Sequence, residues 1–223
     1  NKDARLFELA NVYIPKALPL TELPDERSMF CLGMYGEGDF FVMKGVIEEF
    51  FEMAGMHGKM TCDPKAGKPF LHPGRQALVQ YEGETMGYFG EVHPDVAGSY
   101  GIGGRAYIAV IDLENVIPHT SFDYHYTGIA KYPAVSRDIS MLVPRDVMAG
   151  QIEAVIAQRG GRILESYHLF DIYEGKQVRE GFKSIAYNLT FRNREKTLEE
   201  AEITAAMKKI LNGLENLGIE LRS

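Results

Sequence analysis

Residues 127–223 pass through period-two and helical patterns in the order strand, helix, strand, strand, helix, strand, and this order constrains the fold more than any other feature. Ile139 to Val143 reads as a strand, and Ile152, Val155 and Ile156 mark the apolar stripe of a helix that Gly160-Gly161 ends. Ile163 to Tyr173 and Lys183 to Phe191 are long strands. Thr197-Leu-Glu-Glu200 has the Thr-x-x-Glu form of a capping box, and Ile203, Ala206, Met207, Ile210, Leu211, Leu214 and Leu217 then hold one apolar face until Gly218. Ile219 to Leu221 supplies a short last strand. Two helices on one face of a four-stranded antiparallel sheet make the split βαβ, ferredoxin-like arrangement.

Upstream the pattern changes. Arg5 to Ile14, Met29 to Tyr35, Gln76 to Tyr81, Thr85 to Val92 and Ala106 to Leu113 are strands, and Glu82-Gly83-Glu84 is a hairpin turn between two of them. A helix follows Asp39, its N-cap, with Phe40, Phe41, Val46, Ile47, Phe50 and Phe51 opposite Lys44, Glu48, Glu49 and Glu52. The expected class is therefore α+β, an antiparallel sheet with helices over residues 1–117 and a ferredoxin-like βαββαβ domain over 127–223. Between them Pro118-His-Thr-Ser-Phe-Asp123 has no period and reads as a linker within 114–128.

Charge is divided along the same line. Up to residue 126 there are 10 Lys+Arg against 18 Asp+Glu, net −8, and afterwards 14 against 13, net +1, which gives the chain's −7. A near-neutral second part can present a local basic patch that the acidic whole conceals. Cys31 and Cys62 are too few for a metal knuckle or a disulfide framework and point to a reducing, cytoplasmic setting. No apolar run approaches the ~20 residues that span a bilayer. The chain begins without Met on a strand in need of partners, which suggests a piece of a longer polypeptide.

Catalytic patterns fail on inspection. His72-Pro73-Gly74-Arg75 and Glu91-Val-His93-Pro94 lack the close histidine spacing that sets two ligands on one helix face. Gly101-Ile-Gly-Gly-Arg105 feeds a strand, whereas a phosphate-binding glycine loop opens a helix. Gly-x-Ser-x-Gly, the Walker loop and paired cysteines are missing, so neither catalytic nor metal-binding residues are expected.

The second part does carry a surface for chemistry. Alternation sends Ile185, Tyr187, Leu189 and Phe191 toward the helices and leaves Ser184, Ala186, Asn188, Thr190 and Arg192 on a face that nothing in the sequence covers. Lys176, Arg179, Lys183, Arg192, Arg194 and Lys196 cluster at its edge. An open sheet rimmed by cations suits single-stranded RNA, with Tyr132, Phe170 and Tyr173 available for stacking. The contact set expected on this reasoning is Tyr132, Arg137, Tyr173, Lys183, Asn188, Arg192 and Arg194.

Five separated blocks in this part, Tyr132-Pro-Ala-Val-Ser-Arg137-Asp138, Leu169-Phe-Asp-Ile-Tyr173-x-Gly175, Lys183-Ser184-x-Ala186, Thr197-Leu and Glu202-Ile, resemble the ferredoxin-fold anticodon-binding domain. In bacteria that domain ends the beta subunit of phenylalanyl-tRNA synthetase. Leu6-Phe-Glu8, Asp39-Phe-Phe-x-x-Lys44-Gly45, Phe70-Leu-His-Pro-Gly-Arg75 and Gly90-Glu91-x-His93-Pro94 are similar to the catalytic-like module that precedes it. The resemblance implies a degenerate class II synthetase module that pairs with the alpha subunit in an alpha2-beta2 heterotetramer and does no chemistry itself. It also implies binding of the tRNA(Phe) anticodon stem-loop, with ATP and Mg2+ used by the whole enzyme and no cofactor in this piece. On the residues alone, a ferredoxin-like module that binds a small ligand or dimerises stays open, and an acylphosphatase-like use of Arg145 lacks the glycine nest that it needs.

Overall fold

The computed structural model describes residues 2–123, 126 and 128–222. The chain divides into two compact units, Asn1–His125 and Tyr126–Ser223.

In the first unit β1 (Ala4–Ile14) and β2 (Asp25–Tyr35) form a long hairpin, followed by α1 (Phe40–Met53), β3 (Met60–Asp63), β4 (Leu71–Tyr81), β5 (Glu84–Val92), α2 (Pro94–Ser99), β6 (Ala106–Asp112) and α3 (Leu113–Val116). The six strands make one antiparallel sheet in the order β1-β2-β6-β5-β4-β3. Asp39 begins α1 as expected, its Oδ1 accepting from the Val42 N–H at 2.8 Å. Met43, Ile47 and Phe51 of that helix pack on Met34, Val79, Phe89, Ala109 and Ile111 of the sheet. Each large apolar side chain so buried contributes about 1.5–3 kcal/mol.

Two elements depart from expectation. Part of the segment read as linker is helical, because the Asp112 carboxylate accepts from the Glu114 N–H at 3.1 Å and Val116 is buried in the core. Arg27 holds this corner by donating to Asp112 and to the Asn115 side chain, both at 2.6 Å. The four-residue strand β3 gave no periodic signal, being too short to show one.

In the second unit β7 (Val135–Pro144), α4 (Ala149–Gly160), β8 (Leu164–Tyr173), β9 (Phe182–Phe191), α5 (Glu200–Glu215) and β10 (Glu220–Leu221) run in the expected order, and the sheet order is β10-β7-β9-β8. Both helices bury Ile152, Ile156, Ile203, Ile210 and Leu214 against Ile139, Met141, Ile185, Tyr187, Leu189 and Phe191. The cap of α5 differs from the one read in the sequence. Glu199, not Thr197, is the N-cap, and its N–H donates to Glu202 Oε2 at 3.1 Å. Leu198 and Ile203 lie in the same core cluster, flanking the cap as a hydrophobic staple that fixes where the helix begins.

Candidate nucleic-acid interface

The open face of the second sheet follows from register. Ser136, Asp138, Ser140 and Leu142 of β7 stand opposite Thr190, Asn188, Ala186 and Ser184 of β9. On the other side of β9, His168, Asp171 and Tyr173 of β8 stand opposite Asn188, Ala186 and Ser184. A register shift between Leu169 and Asp171 lets Leu169 and Ile172 both pair with helix-side residues, Tyr187 and Ile185. That bulge brings Asp171 and Tyr173 onto the open face.

The expected contact residues separate under this register. Tyr173 and Asn188 are on the open face, and Tyr173 is 39% exposed. Arg137 is not. It pairs with Leu189, a helix-side residue, and its guanidinium grips both oxygens of Glu200 at 2.7–2.8 Å at the start of α5. Lys183 likewise pairs with Val143 on the helix side and donates from Nζ to the Arg145 carbonyl at 3.2 Å. Lys183, expected at the edge of the open face, is thus within β9, and both residues share the parity of Ile139 and Ile185. Arg192, just beyond β9, spans Glu165 at 2.9 Å and the Tyr132 carbonyl at 2.9 Å, which ties the Tyr132 backbone to the sheet end. Arg194 is exposed and has no ion pair among the described residues.

The open face has two halves. In one, polar groups satisfy one another: Asn188 Nδ2 donates to Asp138 Oδ1 at 2.6 Å, Thr190 Oγ1 to Asn188 Oδ1 at 3.4 Å, and Ser136 and Thr190 hydroxyls lie 3.4 Å apart. In the other, Ala186 forms a small buried floor between Ser140 and Asp171. Ser184 beside it is 4% exposed, and its Oγ accepts from the Arg222 guanidinium at 3.2 Å. The Asp171 carboxylate is exposed and has no partner among the described residues. Tyr173 walls this half, its phenol lying over Gly175, where an added Cβ would stand 2.1 Å from the hydroxyl oxygen. A flat base fits such a half-face: an aromatic wall, a floor without bulk, and a free acceptor. Ser184, His168 and Arg222 were missed as candidates, although the alternation that placed Asn188 also placed Ser184.

Most cations at the rim are already engaged. Arg145 meets Glu174 at 3.2 Å, Arg179 meets Glu220 at 3.0 Å and Lys196 meets Glu202 at 3.0 Å. The Lys196 hydrogen bond and that from the Glu199 backbone both hold Glu202 below the ordinary carboxylate range, the backbone contribution being the larger.

In the first unit the buried carboxylate is Glu91, 3% exposed. Arg75 forks onto it with Nε and Nη2 at 2.5 and 2.8 Å, and Tyr107 donates its hydroxyl at 3.3 Å. The Arg75 hydrogen bond holds Glu91 below the usual carboxylate range against the opposing effect of burial. His72 and His93 each accept a backbone N–H through Nδ1, from Gly74 at 3.1 Å and Asp95 at 3.3 Å. These are turn-closing roles. Among the described residues no three His, Cys, Asp or Glu side chains gather as metal ligands, and no helix is long and apolar enough to cross a membrane.

Comparison with known proteins agrees with this division. Residues 130–222 match the family described as the ferredoxin-fold anticodon binding domain, and residues 1–113 match the phenylalanyl tRNA synthetase beta chain CLM domain. The phenylalanine-tRNA ligase beta subunit of Clostridium acetobutylicum is 42% identical over 223 residues, which is 100% of this chain and 28% of that protein. Those of Clostridium tetani and Symbiobacterium thermophilum are 40% and 34% identical, again over 100% of this chain and over 28% and 26% of their own length. The chain thus spans little more than a quarter of the relatives it matches. Among solved structures, the pyrrolysyl-tRNA synthetase of Desulfitobacterium hafniense is similar over 51% of this chain and 40% of its own, at 14% identity and a TM-score of 0.39.

Proposed function

The chain belongs, through both of its units, to the phenylalanyl-tRNA synthetase beta-subunit family, and on that premise we propose that its second unit binds the anticodon stem-loop of tRNA(Phe) on the open sheet. The observation that carries this reading is the half-face of Tyr173, Asp171, Ser184 and Ala186, which combines a stacking ring with a free carboxylate acceptor over a floor without bulk. A carboxylate there selects a base with neighbouring donors on its Watson–Crick edge, which guanine has and adenine, uracil and cytosine lack. Arg194 and Arg222 lie at the edges as phosphate or sugar contacts, while Tyr132 and Arg192 shape the sheet end.

In the same reading the first unit pairs with the catalytic alpha subunit, within an alpha2-beta2 assembly in the cytoplasm that attaches phenylalanine to tRNA. Support comes from the outer hairpin, where Phe7 and Leu9 of β1 are 77% and 63% exposed on an edge strand. Apolar residues on an uncovered edge mark a protein interface. ATP and Mg2+ serve the whole enzyme. Among the described residues the buried carboxylate Glu91 is taken up by Arg75. On this reading the catalytic steps belong to the alpha subunit.

The test is titration of the full chain with the tRNA(Phe) anticodon stem-loop, and with the same loop carrying a substituted anticodon. Binding that falls on substitution of the anticodon, and falls again in the Tyr173→Ala protein, is the expected result. Equal affinity for both loops would remove the anticodon assignment. Self-association that persists when Phe7→Ser/Leu9→Lys removes the apolar edge of β1, without RNA affinity, would favour the dimerisation module of the second unit instead.

A further inference from the structure

We propose that the seam between α4 and α5 is a second anion site, which takes a phosphate group of the RNA backbone on the helical side of the unit. It rests on the RNA-binding reading above but uses none of the open-face residues. Gly213 creates the site. A Cβ there would stand 2.8 Å from Val155 Cγ1 and 3.1 Å from Arg159 Cγ, so only glycine permits this approach of the two helices. The missing side chain leaves a dent of about 180 Å³ lined by Arg159, Lys209, Asn212, Gly213 and Asn216.

Every charged group on that lining is a cation, and the two amides can turn donors toward the same point. Among the described residues, the side chains of Arg159, Lys209, Asn212 and Asn216 make no hydrogen bond or ion pair, whereas those of Arg137, Arg145, Arg179, Arg192 and Lys196 of the same unit each hold a carboxylate. Arg159 and Lys209 are thus two unpaired cations of the unit that share one dent with two amide side chains. Arg159 is in the last turn of α4 and Asn216 caps the end of α5, so both helix ends contribute partial negative charge here. Each end is worth roughly −0.5, or about −1 for the two, against two formal positive charges, which leaves a surplus of about +1 for an anion. A guanidinium fork and an ammonium together match the oxygen geometry of a phosphate.

The alternative is that these cations only complement the helix ends, and the experiment separates the two. The full chain is titrated with tRNA(Phe) transcript across a salt series, as wild type, as the Arg159→Gln/Lys209→Gln double variant, as Lys209→Glu, and as Tyr173→Ala, with a thermal melt of each. The double variant is expected to lose about 0.7 from the log–log salt slope, the share of the one phosphate held in the seam, while Tyr173→Ala loses affinity at an unchanged slope. Lys209→Glu, which keeps the surface polar, is expected to weaken binding further. A lowered melting temperature with affinity and slope unchanged would overturn the seam site and leave the anticodon reading standing. Inorganic pyrophosphate, followed by the Gly213 amide resonance, separates the sources of phosphate. A shift there in a protein that binds no RNA would keep the anion site and remove the anticodon reading, and a response to neither ligand would overturn both.

Discussion

Asn188 donates from Nδ2 to Asp138 Oδ1 at 2.6 Å, across the central strand pair β7–β9 and on the face that the helices leave bare. The bond divides that face. Below it the hydroxyls of Thr190 and Ser136 continue a ladder of groups satisfied within the protein, and above it Asp171 and Tyr173 keep their polar atoms for another molecule. On the proposed reading, the base would sit on the half nearer Gly175 and Arg222.

Replacing Asp138 with Ala removes a charge-assisted bond at a partly exposed site and should cost about 0.5–1.5 kcal/mol of stability in denaturant unfolding. It should not weaken RNA binding, since it also takes a negative charge away from the surface proposed to face the RNA. A loss of affinity as large as that of Tyr173→Ala would place Asp138 in the recognition surface itself.

Asp171→Asn keeps the shape of the side chain and exchanges a bare acceptor for one acceptor and one donor. If the carboxylate reads the paired donors of guanine, the variant should lose about 1–3 kcal/mol of preference for guanine over adenine in the anticodon loop while overall RNA affinity changes less. Binding assays with loops differing at single anticodon positions measure this. Equal losses on all loops would reduce Asp171 to a general electrostatic or folding role.

Much of this was legible in the sequence, and the failures have physical causes. The βαββαβ order came from stripes such as Ile203 to Leu217, which persist for several turns. The helix-side parity of Arg137 and Lys183 was legible too, because stepping by two from Ile139 or Ile185 reaches them. The bulge in β8 could not be read that way. One extra residue between Leu169 and Asp171 resets the parity, and period-two counting carries no mark of it. The Glu91–Arg75 fork was also hidden, since the pair is 16 residues apart and meets only once β4 and β5 are in register.

That fork makes the stability of the first unit dependent on acid. Glu91 has its folded pKa depressed, so its contribution is fully present above the unfolded value of about 4.3 and is lost as pH falls through the folded value. Glu91→Gln should destabilise the protein at neutral pH by about 2–3 kcal/mol, less than the ~3–5 of a fully buried pair because Arg75 is 37% exposed. The difference between wild type and variant should shrink as the pH is lowered below about 4. Unfolding midpoints measured from pH 7 down to 3 test it, and a constant difference across that range would exclude the ion pair as its source.

The outer hairpin supplies the last expectation. Phe7 and Leu9 lie on an 11-residue edge strand whose free side presents unpaired backbone groups, and the Phe7 ring lies tilted beside that of Phe30, 6.2 Å between centroids, and is 77% exposed. An exposed apolar edge of this length associates with whatever strand or apolar face it meets. Without the alpha subunit, the chain should therefore self-associate at rising concentration in sedimentation velocity, and Phe7→Ser/Leu9→Lys should hold it monomeric with little loss of thermal stability. Added alpha subunit should dissolve the self-association of the wild type and fail to bind the variant. Oligomers that persist in the double variant would move the interface off β1.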